Sequence, residues 1–390
     1  MRIGVNTLFL VPGDVGGTET FLRETLKALV TLPEKMELVL FTTRDNDSLF
    51  QKDLAEYPNV RFLKLNFSAA NRPLRLLLEQ TLLPAVCLSA KLDCLWSPGY
   101  TAPFWAPCPQ TVTIPDLQYK SHPEDMHWFE RWVLDMLVRT ACKRSQMIFT
   151  ISDFSKKEVV KYGFAPAEKI EAVLLGVDQS FGTIMPAEER WNVLGELIPR
   201  NQPYILCVAH SYPHKNIHLL VNAFSRLSDA LPHNLVIVGK PRRGEKALTD
   251  SIAGLHCKER LFRFTEGLPY NTLQLLYQGA DIFVLPSAYE GFGLPVIEAM
   301  MAGVPVVTSR EGSLPEVGSD YVFYVDVLSA ESIAHTIRRV TSLDMEERTQ
   351  CITKARQWAY GFTWQRSAEK LQAVLQHVVS AGYVTEKRNR

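Results

Sequence analysis

No two cysteines in this 390-residue chain are spaced as Cys-x-x-Cys. The seven present, at 87, 94, 108, 142, 207, 257 and 351, are scattered and odd in number. This pattern argues against a disulfide framework and against a zinc site, and it fits a reducing cytoplasm. Long apolar runs are missing as well: none reaches the ~18 residues that a membrane-spanning helix needs. The chain opens with Met1-Arg-Ile-Gly-Val-Asn, which reads as a strand and not as a leader, so secretion and membrane spanning are not expected. Charge of one sign is not in excess either. Lys plus Arg and Asp plus Glu number 42 each, so no global field favours nucleic acid or an anionic membrane, and any such contact must be local. No low-complexity tract and no repeat of roughly 20–50 residues interrupts the chain.

What is present is a long alternation of apolar runs and helical periodicity. The length is about twice that of a usual domain, which predicts two. Arg2 to Leu10 reads as a strand. It leads through Val11-Pro-Gly-Asp-Val-Gly-Gly17 into a helix over Thr18 to Leu32, with Phe21, Leu22, Leu26, Leu29 and Val30 at helical spacing. Leu38–Thr42, Val60–Leu65, Cys94–Ser97, Gln110–Ile114 and Met147–Ile151 read as further strands, with helical stretches at Leu74–Ala90 and Glu130–Arg144. A second set follows the polar stretch Pro199-Arg-Asn-Gln-Pro203: strands at Tyr204–Ala209, Asn234–Gly239, Leu261–Glu266, Asp281–Leu285 and Val304–Thr308. Alternation of this kind predicts mostly parallel sheets covered by helices. A helical run from Gln365 to Val379 and a charged tail, Glu386-Lys-Arg-Asn-Arg390, close the chain.

The most informative segment is Ser287-Ala-Tyr-Glu-Gly-Phe-Gly-Leu-Pro-Val-Ile-Glu298. It lies between a short apolar run ending at Pro286 and another beginning at Gly303, with a helix-like stretch inside. Pro295 suits a first helical turn, where its missing N–H costs nothing. Glu290 then falls on the loop leaving a strand, and Glu298 on the opening turn of the helix. Both carboxylates face the carboxyl edge of a parallel sheet, where ligands of open α/β sheets bind, and Gly291 and Gly293 leave room against backbone N–H groups. Ionised carboxylates accept hydrogen bonds only, so the pair could grip vicinal hydroxyls of a sugar and a ribose. The alternative is a capped surface helix with an acid at its positive end.

The stretch from Leu285 to Pro305, LPSAYEGFGLPVIEAMMAGVP, resembles the signature of the retaining GT-B glycosyltransferases of family 4 (glycosyltransferase group 1), whose members include mannosyltransferases. The resemblance implies that Glu290 contacts the donor sugar and Glu298 the ribose. It also implies that the backbone amides of Phe292, Gly293 and Leu294 meet the sugar and phosphate.

Other segments resemble the same family. Gly16-Gly17 sits at a strand-to-helix turn, where backbone can approach a phosphate beside a helix N-terminus; an ordinary tight turn is the other reading. The resemblance places this loop over the donor diphosphate. Ile205 through Lys215-Asn216 is a strand running into a loop with a cation at the strand end. In the family a Lys here, often with an Arg five positions earlier, neutralises the leaving diphosphate. Here His210 stands at the earlier position and Ala209 replaces the usual Gly. Asp116 lies where many relatives carry His-Asp, with Pro115 in place of the His. It is read either as a sugar or acceptor contact or as a strand-end residue capping a turn. The resemblance puts Lys240 near the diphosphate or base and Gly267-Leu268 near the nucleobase. Arg310 is read as a rim cation or a solvated one. Thr150-Ile-Ser-Asp-Phe-Ser155 is read as a cap for a helix from Lys156. Asp45-Asn-Asp47, an Asp-x-Asp, is read as a solvated turn and not a metal site.

These readings combine into an α/β chain of GT-B type, two Rossmann-like domains facing each other across a deep cleft. The first spans residues 1–195 and is completed by a C-terminal helix at about 363–380. The second, at 200–362, binds the nucleotide sugar. The expected activity is metal-independent, retaining transfer of a hexose, first guess mannose from GDP-mannose, to a hydroxyl of a glycan or lipid-linked glycan such as a bacterial lipopolysaccharide. Glu290, Lys215 and Asp116 are the expected catalytic residues. No cofactor, no metal and no nucleic acid are expected. A nucleotide-sugar 2-epimerase and a non-catalytic sugar-nucleotide-binding subunit are the alternatives. For Arg131 to Arg144, with Trp132, Leu134, Met136 and Leu137 interleaved, two readings stand: a peripheral contact with the inner face of the cytoplasmic membrane, and an amphipathic helix turned to the core.

Overall fold

The computed structural model describes residues 1–14, 16–200 and 202–388, with side chains through Ala381. Asn389 and Arg390 of the charged tail, Val15 of the first Gly-rich loop and Asn201 of the polar stretch lie outside the described residues. The chain divides into two units, Met1–Gly176 with Trp364–Arg390, and Val177–Thr363.

The first unit holds a seven-stranded parallel sheet: β1 (Arg2–Asn6), β2 (Glu37–Thr42), β3 (Val60–Lys64), β4 (Cys94–Ser97), β5 (Gln110–Thr113), β6 (Met147–Thr150) and β7 (Ile170–Ala172), in the order β3-β2-β1-β4-β5-β6-β7. Ile3 of β1 registers with Leu38 on one side and Cys94 on the other. The central strands are buried on both faces, which is why they read as continuous apolar runs. Helices α1 (Gly17–Thr31), α2 (Arg72–Ala90), α3 (Trp128–Arg144) and α4 (Asp153–Lys161) belong to this unit. The apolar positions expected on α1, Phe21, Leu22, Leu26, Leu29 and Val30, are all buried.

Two expectations need correction here. β1 ends at Asn6 and not at Leu10: the Asn6 side chain accepts from the Leu8 N–H (3.3 Å) and Thr7 Oγ1 donates to Phe41 O (2.8 Å), turning the chain out of the sheet. The helix expected from Lys156 starts at Asp153. Ser152 is its cap, accepting from Ser155 N–H at 3.0 Å, and Ser155 Oγ donates to Pro115 O at 2.7 Å. Neither β7 nor the last strand of the second unit was expected from sequence; each has three residues and stands at a sheet edge.

The second unit begins with α5 (Ala187–Leu194) and carries α6 (Ile217–Leu227), α7 (Tyr270–Gly279), α8 (Leu294–Ala302) and α9 (Ala330–Thr341) around a six-stranded parallel sheet. Its strands are β8 (Tyr204–Val208), β9 (Asn234–Val238), β10 (Leu261–Phe264), β11 (Ile282–Leu285), β12 (Val306–Ser309) and β13 (Phe323–Val325), ordered β10-β9-β8-β11-β12-β13. Counted from β8 this is the 3-2-1-4-5-6 order of a doubly wound sheet, and the first sheet repeats it with one added strand. α6 and α9 cover one face through Leu220, Val221, Phe224, Ile333 and Ile337. Each such side chain withdrawn from water contributes about 1.5–3 kcal/mol.

The boundary expected at 195–200 lies earlier, after Gly176. Residues 177–199 belong with the second unit because α5 and the turn Gln179–Gly182 pack on α7 and α8. Gln278 reinforces this by donating to Thr183 O (2.9 Å) and accepting from Met185 N–H (3.1 Å). The final helix, α10 (Trp364–Arg388), lies in the first unit and packs on α1 with Leu371, Leu375 and Val378 buried. Ser367 Oγ donates to Leu174 O and Gln372 Nε2 to Glu34 O (2.7 Å), and Lys370 pairs with Glu171 (2.7 Å). All seven cysteines are free, and burial raises the thiols of Cys87, Cys94, Cys108, Cys142 and Cys207. Among the described residues no helix is long and apolar enough to cross a membrane.

Candidate active site

In the second sheet the strand order reverses between β8 and β11, and this switch point is where the sequence places its most distinctive residues. Lys215 ends a short 3-10 turn, Pro213–Lys215, in the loop leaving β8, and Glu290 lies in the loop leaving β11. Their side chains meet: Lys215 Nζ donates to Glu290 Oε1 at 2.6 Å, with only 16% and 12% of the two side chains exposed. Ser287 Oγ donates to the same oxygen at 2.8 Å. A carboxylate with two donors is held in one orientation, and the ammonium facing it is a fixed positive point at the sheet edge.

The two loops are also joined through their backbones. Ala288 N–H donates to His214 O (2.7 Å), and Asn216, in the left-handed region at φ 53°, donates its side-chain amide to Pro286 O (3.1 Å) and Val327 O (3.2 Å). The loop after β12 closes against the far side of Glu290. Ser313 donates from Oγ (2.9 Å) and N (3.1 Å) to Glu290 O, and Gly312 at φ +65° passes so close that a Cβ there would stand 2.6 Å from that oxygen. Gly312→Ala is therefore expected to cost about 1–3 kcal/mol through backbone strain and to shift the Glu290 loop. Chemical denaturation checks the cost, and limited proteolysis of the same preparation checks the loop.

α8 opens directly behind Glu290. Gly293 caps it at φ 100°, Pro295 occupies the first turn, and the helical ladder begins with Val296 N–H on Gly293 O (3.0 Å). The Leu294 N–H lies ahead of that ladder, at the positive end of the helix. The Phe292 side chain is core, against Phe362 at 6.0 Å, so only its backbone is offered to a ligand.

Glu298 has other partners. It is half-buried one turn into α8, and the pull of burial, opposed by the Tyr277 hydroxyl and aided by the nearby Asp178 carboxylate, pushes its carboxyl up to about 7. Asp178 in turn accepts from the Tyr270 hydroxyl at 3.0 Å. Below the ordinary carboxylate range Glu298 is protonated folded and unfolded, and its stability contribution is fully present. As pH rises towards about 7 the unfolded chain releases this proton first, so stability falls across that window. Glu298→Gln is expected to flatten that fall, read as melting temperature against pH beside the wild type.

Positive charge gathers at the ends of β8 and β9. Burial, with Arg242, Lys215 and Lys240 adding their charges, pulls the His210 imidazole down to about 4, so it is neutral at physiological pH. Its Nδ1 accepts from Lys240 N–H (3.0 Å), which leaves the ring proton on Nε2. The loops of His210 and Lys240 lie backbone to backbone: a Cβ on Gly239 would stand 2.0 Å from Ala209 O, and one on Gly244 2.6 Å from Ser211 O. Arg242, missed from sequence, is anchored by its N–H on Ser211 Oγ at 2.7 Å. The Lys-Pro-Arg-Arg run after β9 was the available signal. Leu268 is half-buried in the loop after β10, and the exposed Arg310 lays its guanidinium 4.0 Å from the Tyr324 ring.

Gly16, Gly17 and Asp116 lie in the first unit. Gly16 caps α1 at φ 53° and Gly17 is its first residue, while Glu19 of the first turn reaches back to accept from Gly13 N–H at 2.7 Å. Asp116 follows β5 and accepts from Gln118 N–H (3.1 Å) and from the Tyr100 hydroxyl (2.8 Å), the geometry of a capped turn. Of the Asp-x-Asp, Asp47 accepts from Thr42 Oγ1 (2.6 Å) and pairs with Lys64 (3.2 Å), and Asp45 accepts from Ser68 Oγ (2.9 Å) and Ala69 N–H. Both are engaged in tying β2 to the strand beside it. Among the described residues no three His, Cys, Asp or Glu side chains are grouped to hold a metal ion.

Two family models match this chain: glycosyl transferases group 1 over residues 194–358 and glycosyltransferase family 4 over residues 15–181. O-antigen chain mannosyltransferase B of Escherichia coli is 33% identical over 221 residues, 56% of this chain and 56% of that protein. O-antigen chain mannosyltransferase RfbU of Salmonella typhimurium is 28% identical over 60% of this chain and 61% of its own length. The chain thus spans little more than half the length of these curated relatives. Among solved structures, Anabaena Alr3699/HepE in complex with UDP and glucose superposes over 97% of this chain and 100% of its own, with a TM-score of 0.77 at 19% identity.

Proposed function

Because the chain belongs to the glycosyl transferases group 1 and has the GT-B fold of that enzyme class, we propose that it moves a hexose from a nucleoside diphosphate sugar to a hydroxyl of a growing glycan or lipid-linked glycan, with retention at the anomeric carbon. Mannose from GDP-mannose is the first choice, favoured by the mannosyltransferase names of its E. coli and Salmonella relatives. The observation that carries the reading is the Lys215–Glu290 pair at the switch point of the second sheet.

In this reading Lys215, with Lys240, Arg242 and the Nε2–H of neutral His210, meets the charge of the diphosphate. Glu290 and the amides of Phe292, Gly293 and Leu294 receive the sugar. Glu298 accepts from the ribose hydroxyls, and Leu268 lies beside the base. The family resemblance assigns Gly16 and Gly17 to the diphosphate and Asp116 to the sugar or the acceptor. The bond between anomeric carbon and phosphate oxygen breaks with its electron pair on the phosphate. The acceptor oxygen bonds to the same face of the carbon, and its proton passes to that phosphate oxygen, so no protein base is required. With these cations meeting the diphosphate, the rate is expected to be unchanged in EDTA.

Since a protonated Glu298 gives up acceptor capacity, nucleotide affinity should rise as pH increases through about 7, and Glu298→Gln should lose that rise. Calorimetric titration at several pH values checks this. The proposal as a whole is tested with a panel of nucleotide sugars, first by thermal shift and then by product analysis with glycan acceptors. A selective shift with GDP-mannose and an elongated α-linked product are expected. Free nucleotide and an epimerised sugar formed without acceptor would instead establish the 2-epimerase.

A further inference from the structure

α3 carries two faces of opposite use. Val138, Ala141 and Cys142 are buried against the first unit's core, which also takes Val112, Ile114, Val159 and Ile170. On the opposite side Trp128, Trp132, Met136, Arg139 and Lys143 recur at the spacing of one helical stripe, with Phe129 beside them. The core-facing reading of this segment therefore holds for one face only: Trp128 is 66% exposed, Phe129 53%, Trp132 58% and Met136 48%. The aromatic rings form one patch, with Trp128 and Phe129 centroids 5.8 Å apart and Phe129 and Trp132 stacked at 6.3 Å. The fold gains nothing from leaving large aromatics in water, where each forgoes the stabilisation of burial.

The charges on the helix supply the complement. Four cations face two acids along α3, and one of the acids, Asp135, is already held by Lys120 (2.5 Å) and Arg139 (2.9 Å). The stripe runs from aromatics at one end to Arg139 and Lys143 at the other. Past them Arg144 sits 3.9 Å over the ring of Phe104, which is exposed together with Trp105. Indole and phenyl rings settle at the level of lipid head groups, and cations one or two turns away meet phosphates there. The same face of a second copy would bring only the same positive charge. We propose that this face of α3 docks the protein on an anionic phospholipid bilayer.

The test uses the full chain with vesicles of phosphatidylcholine alone and with about 30% phosphatidylglycerol, read by co-sedimentation and tryptophan emission. Binding to the anionic vesicles with a blue-shifted emission, weakened by salt, is expected. Trp128→Ala with Trp132→Ala should weaken it about tenfold or more, and the surface change Lys143→Glu should weaken it with the tryptophans intact. Melting temperatures matching the wild type establish that the variants fold. Absence of wild-type binding, equal binding to neutral vesicles, or a double variant that binds as the wild type overturns the proposal. So does a concentration-dependent dimer in light scattering that the double variant abolishes, because the face would then belong to a second copy.

Discussion

Lys215→Ala is expected to lower transfer by about two to three orders of magnitude while leaving the melting temperature within a few degrees of the wild type. On the proposed function the rate falls because a departing diphosphate gains negative charge in the transition state, and Lys215 is the cation that the β8 loop fixes at the switch point. The fold persists because Glu290 keeps its bond from Ser287, and its loop keeps its ties to the Asn216 side chain, to His214 O and to Ser313. Lys215→Arg should restore only part of the rate, since a planar guanidinium does not reproduce a point charge in a pocket built around one carboxylate oxygen. Glu290→Ala should show a comparable loss. Steady-state kinetics beside a thermal melt separates the two effects, and full activity in both alanine variants would refute the site.

Glu79→Ala is expected to destabilise the first unit by about 2–4 kcal/mol, measured by denaturant unfolding. Glu79 lies on α2, 1% exposed, and accepts from Asn6 Nδ2 (3.2 Å) and Thr101 Oγ1 (2.9 Å). Asn6 ends β1 and also donates to Ser97 Oγ at the end of β4 (3.2 Å), so one carboxyl braces both strand exits at the first sheet's own switch point. Burial raises its pKa, opposed by Thr101, Arg75 and Asn6. The alanine would leave the Thr101 hydroxyl without its acceptor and a cavity beneath the sheet edge. Glu79→Gln keeps the shape and an acceptor, and should recover most of the loss.

Much of this molecule was legible in the sequence where the signal is local. The two-faced burial of the strands writes itself as short apolar runs, and the Gly-Phe-Gly-Leu-Pro start of α8 follows from turn and helix-start chemistry alone. The partners of these residues were not legible. Lys215 and Glu290 are 75 residues apart, and Asn216 bonds Val327 across 111. No local periodicity reports such a pairing. The unit boundary was misplaced because α5 looks like any linker helix until its packing on α7 is seen. The Trp132 face was ambiguous for a related reason: an amphipathic pattern shows that two faces differ, and apolar residues on both leave open which one the core takes.

The return of α10 to the first unit also sets an order on biosynthesis. Val177–Thr363 is continuous in sequence, so all of its strands are synthesised before any residue of α10 is made. The first unit, although translated first, waits longest for completion. Until residues 364–380 emerge, α1 lacks the leucines of α10 that cover it. The nascent first unit therefore carries an uncovered apolar stripe through the whole synthesis of the second, an interval in which a chaperone has something to hold.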